Sequence, residues 1–424
     1  MLKTSRIIMI SVAILTLGMT SCNKDVYDEE KHLEFFKYSS PVDSVDQRHT
    51  WQLTTQYSFQ FTADAGSNIE SVRVFTDNPL SSSDAELMGL APISDGKTVA
   101  LSVTAPTIQN AFYAALVDKN GNYYVTPFTA SAIDVSFEES TVGKPKGEIS
   151  PQTFTYLFEE DLPKPGDYDY NDLVLRVSQQ RTGQKEITLN VTIAAVGAKS
   201  HMAGGIRLVG YRYQDIDSIK TTTGESFSDG VPAASLYMFP NTDLLLEGRN
   251  KEAVINLFVD AHWAMAFNVD VSYGLFQRKK YNVSNSTDDN YQLRATRTLS
   301  YVIYFKDDAS LNSFTLDSLD PFIITEFVGG NWETHLDLYR DAQVLYEYTY
   351  PLIIKDLPWA LKVPKKDFQY PLEGIEIGFK KKTDTGASAL FGAYMTSGHS
   401  FGEWAEDYTK CLDWYLYPVS AYVW

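Results

Sequence analysis

Short runs in which apolar and polar residues alternate recur along most of this chain, and they constrain its fold more than any other feature. The run YSFQF covers residues 57–61, and residues 187–193 alternate in the same way. A period of two residues is typical of a strand with one buried face. The 27 Tyr and 23 Phe also favour strands, in which aromatic residues are enriched. The sequence therefore predicts a mainly β protein, with an N-terminal Ig-like β-sandwich followed by a larger β-sandwich or jelly-roll-like domain.

Other segments fit the same prediction. Asn120-Gly121 lies between two apolar runs and predicts a β-hairpin turn. Apolar residues of strand length or strand spacing follow at Leu173/Leu175/Val177, 254–259 and 299–305. Helix signals are few, and the clearest predicts a short helix over residues 401–406.

The Pro- and Gly-bearing stretch from Glu138 to Pro151 is the natural boundary between two sets of strands. We therefore predict a β-sandwich domain over residues 49–137 and a second β-domain over residues 150–424.

The first residues predict export and a lipid anchor. Lys3 and Arg6 precede an apolar stretch, residues 7–17, that is too short to span a bilayer, and Cys22 follows at the expected cleavage junction. Residues 1–21 are thus predicted to be a signal peptide, with Cys22 acylated and residues 22–48 forming an acidic tether. The alternative is an ordinary secretory signal with a coincidental Cys. We expect an outer-membrane lipoprotein that is anchored by lipid and displayed at the cell surface.

Net charge bears on whether the protein binds nucleic acid, and cysteine content bears on whether it forms a disulfide. The formal net charge is −18, and no basic run is longer than the three residues of Lys380-Lys381-Lys382, so a nucleic-acid partner is not expected. With Cys22 acylated, Cys411 is the remaining thiol, and no intramolecular disulfide is expected. Cys411 is predicted to be a small buried hydrophobic residue rather than a nucleophile.

The densest group of oxygen ligands directly precedes the strand that begins at Leu173. Oxygen ligands at every second position of a loop can wrap a hard cation, and like charges packed this closely would otherwise repel one another. We predict a calcium site, because magnesium demands a stricter geometry. The loop is not an EF-hand, since its sixth position is Asp172 rather than Gly. The predicted ligands are Glu159, Glu160, Asp161, Asp167, Asp169, Asn171 and Asp172.

A purely structural role for these acids is the alternative. Asp167, Asp169 and Asn171 could form Asx turns and cap strand ends, while Asp172 could accept hydrogen bonds from backbone N–H groups. If the backbone stays extended at Asn171, Asp172 is expected to anchor the loop rather than touch a metal.

The same stretch resembles the signature of the LruC-type domain, a family of Bacteroidota lipoprotein and surface-protein domains of unknown biochemical role. The resemblance rests on residues 158–161 and 166–174 and extends over about residues 150–424. It implies a surface or outer-membrane lipoprotein with a cation site and no catalysis. Its downstream motifs lie at residues 197–198, 204–206, 320–323, 333–336, 357–361, 370–373, 401–404 and 413–415.

We find no catalytic motif for nucleophilic, metallopeptidase or nucleotide chemistry, and so no enzyme is expected. The predicted role is binding or adhesion, with a glycan or a protein as the candidate ligand. A glycan-processing enzyme that uses paired carboxylates and a structural protein of the envelope are the alternatives. Glu333, His335 and Asp337 alternate along one segment, so they could form a second ligand set; the alternative is a buried, hydrogen-bonded His335.

Overall fold

The computed structural model describes residues 40–42, 44–161, 166–231, 245–249, 251–266, 278–327, 330–336, 357–378 and 399–424. Cys22, the signal peptide over residues 1–21 and most of the tether over residues 22–48 lie outside these residues, as does Asp337. Contacts group residues Pro41–Trp424 into one compact unit.

Two sheets form the first half of this unit. The first sheet has three strands in the order β4-β1-β7, and the second has six in the order β8-β6-β5-β2-β3-β9. Most neighbours are antiparallel, whereas β7 and β9 pair in parallel with β1 and β3. The strands are β1 Thr54–Thr62, β2 Ile69–Phe75, β3 Glu86–Pro92, β4 Thr98–Pro106, β5 Ala111–Asp118, β6 Tyr123–Thr129, β7 Asp134–Val135, β8 Thr141–Gly143 and β9 Ser150–Pro151.

Alternation explains how these two sheets pack. Phe59 and Phe61 of β1 point inward and meet Val72 and Val74 of β2, together with Phe112 of β5, in one buried cluster. Each fully buried Phe stabilises the fold by about 1.5–3 kcal/mol relative to an exposed one. The predicted N-terminal sandwich is confirmed.

The Asn-Gly turn is also where the sequence predicts it. Gly121 has a φ of 73°, a conformation that costs Gly little, and the turn joins β5 to β6. The Asp118 carboxylate supports it by accepting hydrogen bonds from the backbone N–H groups of Asn120 and Asn122, each at 2.8 Å.

Two larger sheets form the second half. One has six strands in the order β14-β19-β12-β11-β10-β22, and the other has five in the order β15-β16-β13-β20-β21. A small parallel pair, β17 with β18, lies beside them. The strands are β10 Thr153–Phe158, β11 Leu173–Gly183, β12 Glu186–Ala195, β13 Met202–Arg212, β14 Ile216–Thr221, β15 Leu246–Arg249, β16 Glu252–Phe258, β17 Lys280–Tyr281, β18 Tyr291–Gln292, β19 Arg297–Phe305, β20 Leu319–Phe327, β21 Gly330–His335 and β22 Ala360–Val363.

The facing sides of these sheets share one core. Leu175 of β11 and Leu189 of β12 belong to the same buried cluster as Ile206 of β13, Ile255 of β16 and Ile323 of β20. The residues on strands β11 and β12 that were predicted to face inward do so. The prediction of a mainly β chain with two successive sandwiches is thus confirmed.

Helices are short in the described part of the chain. The helix α1 covers Ala261–Ala266 and α2 covers Phe401–Glu406, the second as predicted, with the Ser400 hydroxyl accepting a hydrogen bond from the Glu403 N–H at 3.0 Å. Single 3-10 turns occur at Tyr213–Asp215, Leu311–Ser313, Leu316–Ser318 and Trp414–Leu416. None of the helices in the described ranges has both the length and the apolar character needed to span a membrane.

Polar contacts link the two sandwiches. Thr104 of β4 donates a hydrogen bond to the Thr315 hydroxyl at 2.9 Å, and Thr54 of β1 donates to Asp317 at 3.0 Å. Strands β8 and β9, which lie in the predicted boundary segment, pair with the N-terminal sheet. The domain boundaries at residues 137 and 150 stay a prediction.

Candidate metal centre

The topology of β10 and β11 brings the predicted ligands to one place. These strands are antiparallel neighbours in which Phe158 pairs with Leu173, so Glu159 leaves the sheet where Asp172 enters it. The intervening residues 159–161 and 166–172, called here the acid loop, therefore close over one end of the sheet.

Three carboxylates of the acid loop converge. Glu159, Asp167 and Asp169 each have an oxygen atom within 4.8 Å of the corresponding oxygen of the other two. Glu159 and Asp169 are each only 1% exposed, whereas Asp167 is exposed. Because Ca²⁺–O distances are about 2.3–2.6 Å, oxygens this close together can share one calcium ion. The donor set therefore fits a hard divalent cation.

The backbone of the acid loop turns twice to achieve this arrangement. Tyr168 and Tyr170 have φ values of 58° and 52°, which side-chain-bearing residues seldom adopt and which cost about 1–3 kcal/mol each. Their N–H groups donate to the two oxygens of Glu159, at 3.3 Å from Tyr168 and 2.5 Å from Tyr170. The Tyr170 hydroxyl donates to the Pro358 carbonyl at 2.6 Å. These bonds hold the strained turn around the Glu159 carboxylate.

Gly166 makes room for the same carboxylate. A Cβ atom at this position would lie 1.9 Å from Glu159 Oε2. Any larger residue would therefore have to displace Glu159 from the cluster.

A distant segment closes the other side of the site. Asp169 accepts a hydrogen bond from the Gly374 N–H at 2.7 Å and one from the Asn171 N–H, an Asx turn, at 3.1 Å. Glu373, next to Gly374, forms an ion pair with Lys280. The sequence predicts neither Glu373 nor Lys280 as a ligand, because both are far from the loop along the chain; Glu373 belongs only to the family motif at residues 370–373.

The other predicted ligands make hydrogen bonds of a structural kind. Glu160 accepts from the N–H groups of Lys199 at 2.9 Å and Ser200 at 2.7 Å. Asp172 accepts from the Glu160 N–H at 2.7 Å, and the Asn171 amide donates to the Pro371 carbonyl at 3.1 Å. Asp161 is exposed at the start of the loop. The assignment of all seven residues as metal ligands stays a prediction.

The electrostatics of the acid loop disfavour the ionised forms of its buried carboxylates. Burial raises the pKa of Glu159 well above its usual value, and the charges of Asp169 and Asp167 raise it further. Burial, followed by Asp167 and Glu373, has the same effect on the pKa of Asp169. Burial and four neighbouring acids, Glu160 foremost, do so for Asp172. Backbone hydrogen bonds from Tyr170 and Tyr168 to Glu159, and from Gly374 and Asn171 to Asp169, act in the opposite direction, and a nearby positive charge would favour the ionised forms further.

A second group, here called the Asp320 cluster, contains Asp320, His335, Glu333 and Arg207. The Asp320 carboxylate lies 2.7 Å from His335 Nδ1 and 3.0 Å from Arg207 Nε, and Glu333 lies 3.1 Å from His335 Nε2. Burial alone would lower the pKa of His335, but the two carboxylates raise it to about 9. The His335 side chain, 11% exposed, is thus a hydrogen-bonded cation. A second metal-ligand set that includes Glu333 and His335 stays a prediction.

Cys411 lies in the C-terminal tail as a free, buried thiol, as predicted, and burial raises its pKa.

A family model described as "Domain of unknown function (DUF4842)" matches residues 185–404, just over half of the chain. The chain belongs to the DUF4842 family. The DUF4842 match begins at residue 185, just before β12, so Lys280, Glu373 and Gly374 lie inside it, whereas the acid loop precedes it. Membership of a family of unknown function is confirmed, while the more specific LruC-type resemblance stays a prediction.

The remaining comparisons add little. No curated protein matches the chain. A crystal structure of a proposed lipoprotein from Bacteroides ovatus is similar at 16% identity, with a TM-score of 0.46 over 85% of this chain and 99% of that chain.

Proposed function

We propose that this protein is a lipoprotein of the outer membrane, anchored at the cell surface through Cys22, that has a binding or adhesion role and holds one calcium ion in its acid loop. The convergence of Glu159, Asp167 and Asp169 carries the proposal. Three carboxylates bring three negative charges to one point, and Lys280 is already paired with Glu373. A divalent cation would neutralise most of that charge and satisfy the oxygens.

A binding role fits this site better than hydrolysis. Two carboxylates about 5 Å apart are the arrangement of a retaining glycosidase. In the acid loop, however, Glu159 and Asp169 are each only 1% exposed, so a polysaccharide could not reach both of them. Glycan processing and a purely structural envelope role remain the alternatives to the binding role.

Calcium titration followed by thermal unfolding tests the cation. At 100 times its dissociation constant, an ion that binds only the folded state adds about 2.7 kcal/mol of stability, which chelator should remove. Asp169→Ala should abolish the gain. Asp95→Ala is the matched control, because Asp95 also accepts hydrogen bonds from two backbone N–H groups, those of Asn68 and Ile69. A melting temperature that millimolar calcium leaves unchanged in the wild type would refute the calcium site and favour the Asx-turn alternative.

Membrane partitioning tests the anchor. We expect the wild type to stay with membranes after a high-salt wash and Cys22→Ala to be released. Retention of Cys22→Ala on washed membranes would contradict acylation as the means of attachment.

A further inference from the structure

A polar cleft of about 680 Å³ lies where the start of β1 faces the C-terminal sandwich. One wall comes from residues 51–56, and the other comes from β13 and from residues 313–320 before and within β20. Lys362 of β22 and Leu336 complete it. The volume is within the range of about 300–1,000 Å³ that is typical of ligand sites. The cleft is separate from the acid loop, none of whose residues lines it.

The charged groups of the cleft are already paired with one another. Lys362 forms an ion pair with Asp317, which also accepts the Thr54 hydrogen bond. Arg207 Nε donates to Asp320 at 3.0 Å. Arg207 also pairs with Glu252 at 3.5 Å, and Asp320 also pairs with His335 at 2.7 Å, so every charged side chain of the lining has an oppositely charged partner.

This pairing selects against charged ligands. An ion, or a zwitterion, would have to separate an existing ion pair whose side chains are only 4–22% exposed, and separating a largely buried pair is costly. A neutral ligand can instead bind to the hydrogen-bond donors and acceptors that the ion pairs do not use. The Lys362 ammonium has three N–H groups, and Asp317 Oδ2 accepts no hydrogen bond from the described residues.

Neutral donors and acceptors occur beside apolar side chains. Gln56 is exposed, and Gln52 and Thr55 are half-buried, on the wall formed by residues 51–56. On the opposite side, Val209 is 36% exposed and Leu336 is half-buried. A sugar ring has hydroxyl groups at its edge and C–H groups on its faces, so it can use both kinds of surface at once.

We propose that this cleft binds a neutral oligosaccharide. The proposal rests on the binding role proposed above and names its ligand class, but it does not depend on calcium. Asp317 and Asp320 both face cations, so neither is poised to protonate a glycosidic oxygen. The cleft is therefore a binding site rather than a hydrolytic one.

Isothermal titration of the full chain with neutral hexasaccharides tests the proposal, using cellohexaose, maltohexaose, mannohexaose and chitohexaose as probes. We expect at least one to bind with a dissociation constant of about 1 mM or tighter. Gln56→Ala and Lys362→Met should each weaken that binding about tenfold. Gln60→Ala is the matched control, since Gln60 lies on the same outward face of β1 beyond the cleft and should leave affinity unchanged. Melting temperatures check that each variant folds.

Several results would overturn the proposal. The first is that none of the four probes binds. The second is that Gln56→Ala and Lys362→Met bind the sugar as tightly as the wild type does. The third is that hexagalacturonate or a neutral peptide binds more tightly than the neutral hexasaccharides. The titration is repeated in chelator. Binding that persists in chelator supports the cleft as the sugar-binding site. Loss of binding in chelator would mean that the sugar binds at a cation, which would refute the proposal. Failure of the calcium proposal alone would leave the sugar titration unchanged.

Discussion

The acid loop and the Asp320 cluster both bury carboxylates, but they balance the negative charge in different ways. In the acid loop, Glu159 and Asp169 face other acids, and their pKa values are raised. In the Asp320 cluster, burial alone would raise the pKa of Asp320, but His335 and Arg207 lower it. Burial of a carboxylate is thus not by itself a sign of a metal site. What distinguishes the acid loop is that its buried carboxylates face other acids, whereas Asp320 faces His335 and Arg207.

The largest effect is expected from breaking the self-contained Asp320 cluster. Asp320→Ala should destabilise the fold by about 3–5 kcal/mol, because it removes the main partner of His335 and Arg207, whose side chains are only 11% and 19% exposed. Denaturant unfolding measures this, and the cost should be the same with calcium or chelator.

An exposed ion pair serves as the control. Asp215 pairs with Arg212 at 2.7 Å, with the side chains 38% and 57% exposed, so Asp215→Ala should cost at most about 1 kcal/mol. Similar costs for Asp320→Ala and Asp215→Ala would contradict the importance of the buried network.

The pH dependence of stability sharpens the same comparison. The folded-state pKa of His335, about 9, lies above its ordinary value of 6.5. Its protonation therefore stabilises the fold fully below about pH 6.5, and this contribution, on the order of 3 kcal/mol, is lost as the pH rises through 9. Unfolding free energies between pH 6 and 10 should fall more steeply in the wild type than in His335→Gln. Parallel curves for the two proteins would show that His335 is not the titrating group.

Local sequence pattern was sufficient to predict most of the fold. Alternation at residues 57–61 and 187–193 places alternate side chains in the cores of the two sandwiches, and the Asn-Gly turn requires only its neighbours.

The helix α1 could not be predicted from the sequence for a physical reason. It has six residues, five of which are buried, so it has no polar face from which a helical period could be read.

The candidate site could be predicted only in part. The density of acidic residues is sufficient to locate the acid loop. The prediction that Asp167, Asp169 and Asn171 share one side, however, requires an extended backbone. The positive φ values of Tyr168 and Tyr170 break that alternation, and the Asn171 amide bonds the Pro371 carbonyl. Contacts from Gly374 depend on tertiary packing, which a sequence pattern cannot show.

The smallest expected effect is also the most specific to the acid loop. Asp167 is exposed and makes no hydrogen bond to the described residues, so Asp167→Asn removes charge with little change of shape. In chelator, the variant should be more stable than the wild type by a few tenths to about 1 kcal/mol, because it relieves repulsion with Glu159 and Asp169. In saturating calcium, the sign should reverse, because the variant loses a ligand charge. The control is Asp289→Asn, which changes an exposed aspartate in the loop between β17 and β18. Its effect on stability should be the same in chelator and in calcium. Stabilisation by Asp167→Asn in both conditions would mean that the acids of the loop repel one another without holding a cation.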